Sequence, residues 1–279
     1  MSETASSGAS GAAPPKPKGL LTLVRQAGLG AGVAFGILGL VVLLAGPALY
    51  RAGMLGLDTA TSGIEHLAMR VFAIGLTFAL AGLVASLVVR KQRGAIVAIV
   101  AGVACGYGVG HLYGQGELRK ELPPIYDAQT DWTQPVAFSE KLLAAREAAN
   151  AVRVRDDAVL PEGEGEWSGM TFADAQTKVY DLAPITVRAS VPDATVAAAK
   201  AAQQLGWSVM LSDPQAGAVE AVNHTFWYGL VSDIAVRITP DGQGARVDIR
   251  STSRDPGGDM GANAAQVKAL LNEIALMLR

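Results

Sequence analysis

The sequence predicts three membrane-spanning α-helices followed by an α+β soluble domain, an antiparallel sheet with two helices on one face. Three observations carry this. Three long runs between residues 27 and 113 hold no charged residue. Apolar residues recur at every second position within 233–239 and within 245–251. Two stretches with helical periodicity flank the strands.

The charge distribution sets the boundaries. Residues 26–116 contain seven charged residues: Arg51, Asp58, Glu65, Arg70, Arg90, Lys91 and Arg93. Residues 117–279 hold 15 Lys and Arg against 22 Asp and Glu, a net −7. The expected division is a disordered cytoplasmic tail over 1–25, a membrane region over 26–116 and a folded domain over 117–279. The tail is Ser-, Gly-, Ala- and Pro-rich and has too little apolar surface to order itself. The domain is acidic overall and so a poor candidate for a nucleic-acid partner, since phosphate binding needs a basic face. The single cysteine, Cys105, lies in an apolar run, so the domain carries no disulfide and no thiolate.

A hydrocarbon core of about 30 Å needs roughly 20 apolar residues in a helix. The first span covers Ala27 to Tyr50. A cleavable signal peptide has an apolar stretch of only about 7–15 residues, so a retained span is the expectation. The second covers Val71 to Val89, and Ser62 to Glu65 reads as a capping box ahead of it. The third covers Gly94 to Tyr113, after a tight basic connection, Arg90-Lys91-Gln92-Arg93. Lys16, Lys18, Arg25 and that connection lie on one side; Arg51, Arg70, Arg119 and Lys120 lie on the other. The excess of basic residues on the first side predicts a cytoplasmic N-terminus. The C-terminal domain then faces outward, which at a bacterial inner membrane is the periplasm. No charge sits inside a span, which argues against transport or channel activity. His111 lies near the end of the third span.

Gly28, Gly32 and Gly36 recur every fourth residue, as do Gly102, Gly106, Gly110 and Gly114. That spacing lines one helix face with small residues and lets backbones approach. Two uses stay open: packing inside one three-helix bundle, or homo- or hetero-oligomerisation through the spans.

In the soluble part, residues 117–170 read as mostly irregular, with Pro123-Pro124 barring a helix and a short helix around Ser139–Val152. Asp156, Asp157, Glu162, Glu164 and Glu166 form an acidic loop. Its spacing is not that of an EF-hand, so it reads as solvated. From Ile185 the order is β-α-β-β-β-β-α. Strands fall at 185–190, 207–211, 217–223, 233–239 and 245–251, with helices at 192–205 and 259–278. Pro240-Asp241-Gly242 marks a hairpin, and Asp259 an N-cap. Ile234, Val236 and Ile238 alternate with Ala235 and Arg237, and Val247 and Ile249 with Arg246, Asp248 and Arg250. The sheet therefore has one apolar and one charged face, and the charged one reads as solvated.

His224 is the domain's only histidine, and only Glu220 stands near it in sequence, too small a set for a zinc site or a triad. No cofactor, metal or catalytic residue is expected. The better ligand-binding candidates are Arg237, Arg246, Arg250 and Arg254. Their guanidinium forks suit carboxylates and phosphates, although a cross-strand salt-bridge ladder would use the same residues. Trp227, in the run Phe226-Trp227-Tyr228, suits a membrane or protein interface, or core packing.

A set of short motifs then occurs in order: Pro123-Pro124-Ile125, Asp127, Thr130-Asp131, Pro135, Ala137-Phe138, Arg146, Asn150, Tyr180-Asp181-Leu182, Gly206-Trp207, Glu220-Ala221, Asp233-Ile234, Val247 to Ser251, Ser253-Arg254 and Asp259 to Ala264. Together they resemble the family called domain of unknown function 1499, over about residues 120–279. The resemblance implies a bacterial envelope protein with N-terminal hydrophobic spans. It implies no catalytic residue, because the family has no established activity. Three functional readings follow: a membrane-tethered, non-catalytic domain that binds a lipid or an envelope protein; an accessory subunit of a larger inner-membrane complex; or a hydrolase with an unrecognised site.

Overall fold

The computed structural model describes residues 19–163 and 165–279. Most of the expected tail, and Glu164 of the acidic loop, lie outside the described residues. The chain divides into two compact units. One comprises residues up to Leu43 with His66–Leu112, the other Leu44–Glu65 with Tyr113–Arg279.

Three long helices run through the first third of the chain: α1 (Leu20–Arg51), α2 (Ile64–Val88) and α3 (Gln92–Glu121). All three are long and apolar enough to cross a membrane. Each exceeds its sequence-predicted span, because apolar or helix-favouring residues continue past the charge-free core. Leu20 to Leu23 start α1 inside the segment expected to be tail. The helix begins earlier than the capping box at Ser62 predicts. Helical structure already runs through Thr59–Gly63 as a π turn, so Ser62 is not a helix start.

In the first unit glycine sets the packing. A Cβ on Gly28 would lie 2.7 Å from Gly82 N, and one on Gly32 3.1 Å from Ala79. The α1 ladder is therefore used against α2, at backbone contact distance. The Phe72 ring of α2 occupies the space left by Gly39 of α1 and Gly108 of α3, where a Cβ would come within 2.6 and 2.7 Å of it. Cys105 is fully buried beside Gly36 and Gly75.

The second unit is built on a six-stranded antiparallel sheet. Its strands are β1 (Asp127–Gln129), β2 (Ile185–Val187), β3 (Ser208–Asp213), β4 (Ala218–His224), β5 (Val231–Asp241) and β6 (Gly244–Ser253). The order is β1-β6-β5-β4-β3, and β2 also pairs with β6. Asp127 stands opposite Thr252 and Ile185 opposite Val247, so β1 and β2 share one edge position, each along half of β6. The expected β5–β6 hairpin closes between Asp241 and Gly244, with Gly242 supplying a φ of +59°.

The apolar face carries the main core. Ile234, Val236, Ile238, Val247 and Ile249 pack against α6 (Val191–Gln204) and α7 (Ala262–Met277). The buried face of α6 is alanine: Ala194, Ala198, Ala201 and Ala202. Such a face lets the helix lie close on the sheet. Ser190 caps α6, accepting from Asp193 N at 3.2 Å, and Gly206 ends it at φ +80°. Asp259 caps α7 from two positions further out than expected. Gly261 holds the N-cap position, while the Asp259 carboxylate accepts from Gly261 N at 2.8 Å and Asn263 N at 2.6 Å.

The charged face differs from its sequence reading. It is not solvated. Residues 130–138, α4 (Glu140–Ala148) and the chain after it cover it, with a small core of Val136, Phe138, Leu142 and Ala235. The segment read as irregular also contains β1, and just after it comes α5 (Phe172–Val179), which packs Phe172 and Ala175 with Ile125, Leu160 and Trp167.

Candidate functional site

On the covered face, arginines of the sheet meet aspartates of the sheet and of the preceding segment. Arg250 is 1% exposed and central. Its Nε and Nη2 donate to the Asp127 carboxylate at 3.1 and 2.5 Å, and its Nη1 to Asp156 at 2.6 Å. Thr252 donates its hydroxyl to Asp127 at 2.7 Å. The guanidinium also lies 5.9 Å from the Trp132 ring centroid and 5.8 Å from that of Phe138. Asp233 takes two arginines. Arg146 donates at 2.6 Å, and Arg254 grips both oxygens at 2.9 and 2.7 Å. Arg146 also donates to the carbonyls of Val152, Thr252 and Ser253. Arg246 bridges Asp131 at 2.6 Å and Asp248 at 3.0 Å. Arg237 reaches Asp248 at 3.4 Å and donates to the carbonyls of Gln134 and Pro135.

The layer is thus five arginines on five aspartates, neutral as a whole. Neutrality is what allows it to be buried, since an unpaired ion in a low-dielectric site is expensive. Burial draws the Arg146 guanidinium below its ordinary value, against the pull of Asp233. At Arg250 burial acts the same way but is outweighed by Asp127 and Asp156, which hold it above. The Thr133 hydroxyl is the main group holding the Asp131 carboxyl below the usual range. Glu220 works beside the layer. It accepts from Ser139 N at 2.5 Å and Ser139 Oγ at 2.7 Å, and Ser139 in turn caps α4 at Leu142 N.

Four residues expected to bind an anion, Arg237, Arg246, Arg250 and Arg254, are therefore brought together, each already facing carboxylates of the same chain. Arg237 and Arg246 keep about a third of their side chains exposed, at 30% and 33%. Trp227 lies away from them, in the β4–β5 turn. His224 is exposed at the end of β4, opposite Val231, and no carboxylate or hydroxyl among the described residues is bonded to it. Sequence reading missed Arg146 and Glu220 as participants. The signal was available in Arg146, an arginine in line with Leu142 on the inner side of a short helix. Among the described residues no group of three His, Cys, Asp or Glu side chains is placed to hold a metal. In the acidic loop, Asp156 is spent on Arg250, Asp157 pairs with Arg155, and Glu162 accepts from Ser168.

A cleft of about 620 Å³ opens at the C-terminal end of α4. Leu143, Glu147, Asn150, Ala151, Arg153 and Val154 line it, with Arg146 at its base. Asn150, at φ +52°, turns the chain out of the helix and shapes the rim. Its volume is in the range of small-ligand sites. The lining mixes aliphatic carbon with one acid, one amide and one free-standing arginine. Such a surface can hold a polar ligand or a short peptide segment by hydrogen bonds along its rim.

Fold and site together define an α+β domain whose polar interior is spent on its own assembly, joined to helices capable of crossing a membrane. No curated protein matches the chain. Residues 127–274 match the family model described as protein of unknown function (DUF1499), more than half of the sequence, and the chain belongs to that family.

Removing one partner from the buried layer strands the other. Asp233→Ala leaves Arg146 and Arg254 without their carboxylate and is expected to cost about 3–5 kcal/mol. Arg237→Ala, at the exposed rim, is expected to cost about 1 kcal/mol. Chemical denaturation of the full-length protein in detergent measures both.

A second expectation concerns pH. The Tyr180 hydroxyl is buried against Gly261, and burial, then the charge of Asp259, push its pKa to about 12. A pKa raised in the folded state gives stability that is complete below the unfolded value of 10.0 and is lost as pH rises toward about 12. Tyr180→Phe should flatten that part of the stability–pH curve relative to the parent protein.

Proposed function

We propose that this protein is a membrane-anchored, non-catalytic binding module. Three spans hold it in a bacterial inner membrane with the N-terminus in the cytoplasm. Its DUF1499 domain faces the periplasm and binds a polar ligand or a partner segment at the α4 cleft. The cleft is the observation that carries this reading. It is open, of ligand size, and backed by a paired ionic layer that fixes its walls. The orientation is supported by the basic residues around the α2–α3 connection. Ser139, held by Glu220, fixes the start of α4, and Arg146 fixes its end. The rim residues are thus set before any ligand arrives, which lowers the ordering cost of binding. Native mass spectrometry of the full-length protein, taken gently from its own membrane, tests this. The expected result is a discrete added mass that is lost in Ala151→Trp, where the indole fills the cleft. A bare chain, or an added mass indifferent to Ala151→Trp, removes the reading.

One observation favours a second role, as an accessory subunit. Gly110 and Gly114 of α3 meet nothing within 4 Å, and Gly106 meets only Leu76, at 4.0 Å. This ladder is open where that of α1 is filled, so a further helix would fit it closely. A Cβ at position 110 meets nothing within 4 Å among the described residues, so Gly110→Leu starts from open space. It should therefore abolish a higher-mass band on a native gel only if α3 docks another helix. Gly28→Leu, which clashes with Gly82, serves as the control that damages the bundle itself.

A further inference from the structure

Phe226 and Trp227 are large, apolar and exposed, at 81% and 59%. The other three tryptophans, Trp132, Trp167 and Trp207, are buried or half-buried. The two rings meet edge to face at 5.2 Å, forming one ridge. The turn that carries them is closed from inside. Thr225 N donates to Leu230 O and Leu230 N to Thr225 Oγ1, both at 2.9 Å. Gly229 takes a φ of +68° that an L side chain would resist. The ridge is therefore held in shape and does not fold back onto the domain.

Its anchorage says what it faces. Arg51, the last residue of α1, donates Nη2 to Phe226 O at 2.8 Å and lies against Gly229. Tyr50 and Tyr228 meet edge to face at 6.0 Å. The Tyr228 hydroxyl donates to Ala60 O, in the segment leading to α2, at 3.1 Å. All of these residues belong to one compact unit. The charge-free stretch Ala27–Tyr50 is about 36 Å long at 1.5 Å per residue, slightly more than a hydrocarbon core of about 30 Å. Tyr50 and Arg51 then fall in the headgroup zone, where Trp, Tyr and Arg are favoured.

We propose that the β4–β5 turn is an interfacial wedge: Phe226 and Trp227 enter the headgroup region of the same bilayer beside the point where α1 leaves it. The proposal rests on the membrane-spanning reading above. The ridge lowers its exposed apolar area by entering lipid, and the Trp227 ring can keep its N–H among the headgroups. The guanidinium of Arg51 lies where lipid phosphates would be. The wedge fixes the height of the domain above the membrane, and with it the height of the α4 cleft.

The test is depth-resolved fluorescence quenching of the full-length protein in phosphatidylcholine vesicles, with acyl chains brominated near the headgroup. A quenched, blue-shifted component is expected that disappears in Trp227→Phe, an exposed position where folding is not at stake. Equal bromolipid quenching of parent and variant overturns the proposal. So does a Trp227 component reached by aqueous acrylamide but not by bromolipid, or one shielded from both, which would mean that protein covers the ridge. Flotation of the vesicles separates the two levels. Protein that floats without Trp227 quenching defeats the wedge alone, and protein that does not float defeats the membrane reading with it.

Discussion

Arg250 carries a full charge on the covered face of the sheet, and the fold on that side is organised around neutralising it. β6 supplies the arginine and also pairs with β1, the strand that brings Asp127. The same three-residue strand therefore performs two tasks, extending the sheet and delivering the counter-ion. Asp156 comes from the chain after α4 and closes the third side. Without these carboxylates, residues 127–156 would have little reason to lie on the sheet. Their apolar contribution there is the small cluster around Val136, Phe138 and Leu142. Paired buried ions add little net stability against an apolar substitute, but a mispaired arrangement is costly. The layer is thus better understood as fixing register than as strengthening the domain.

The two faces of the sheet use opposite means. On the apolar side, alanines of α6 and the Val267–Leu270–Leu271–Ile274 stripe of α7 bury hydrocarbon without directional demands. On the charged side the polar contacts are directional: a fork on a carboxylate, a hydroxyl on a carboxylate, a guanidinium on a carbonyl. Such contacts do not slide. The consequence for the α4 cleft is a wall held by Arg146 through four hydrogen bonds and by Glu220 through Ser139.

Much of this was legible in the sequence. Period-two alternation from Asp233 to Ser251 identified both long strands and the polarity of each face, because a strand cannot hide which side its side chains take. Charge-free runs identified the three long helices. What could not be read was the cover. Alternation shows that Arg237, Arg246 and Arg250 share a face, but not whether water or protein meets it. The first covering piece is the least legible kind: residues 130–138 form no helix or strand and so carry no periodic signal. The aspartates that decide the matter, Asp127, Asp131 and Asp156, lie in a Pro-rich stretch whose composition says loop. Trp227 was ambiguous for a related reason. An aromatic run reads the same in a core and at an interface, and only its 59% exposure separates them.

With the five arginines of the layer paired internally, two other surfaces of the domain stand exposed among the described residues. The α4 cleft is polar-rimmed and sized for a ligand. The Phe226–Trp227 ridge is apolar and tied to the end of α1. They make different demands on their surroundings. In the proposed wedge the ridge meets a medium that accepts aromatic rings on one side and tolerates Arg51 on the other, which a bilayer surface would supply without specificity. On the proposed reading the cleft takes a partner with matched hydrogen-bond geometry, and the specificity would belong there. On that reading the turn carrying the ridge is closed by its own hydrogen bonds, and the cleft depends on the ionic layer, for different reasons. A membrane contact has only to be held at the right height, whereas a selective site has to be held in register, and buried fork-to-carboxylate pairs are the means this fold has for register.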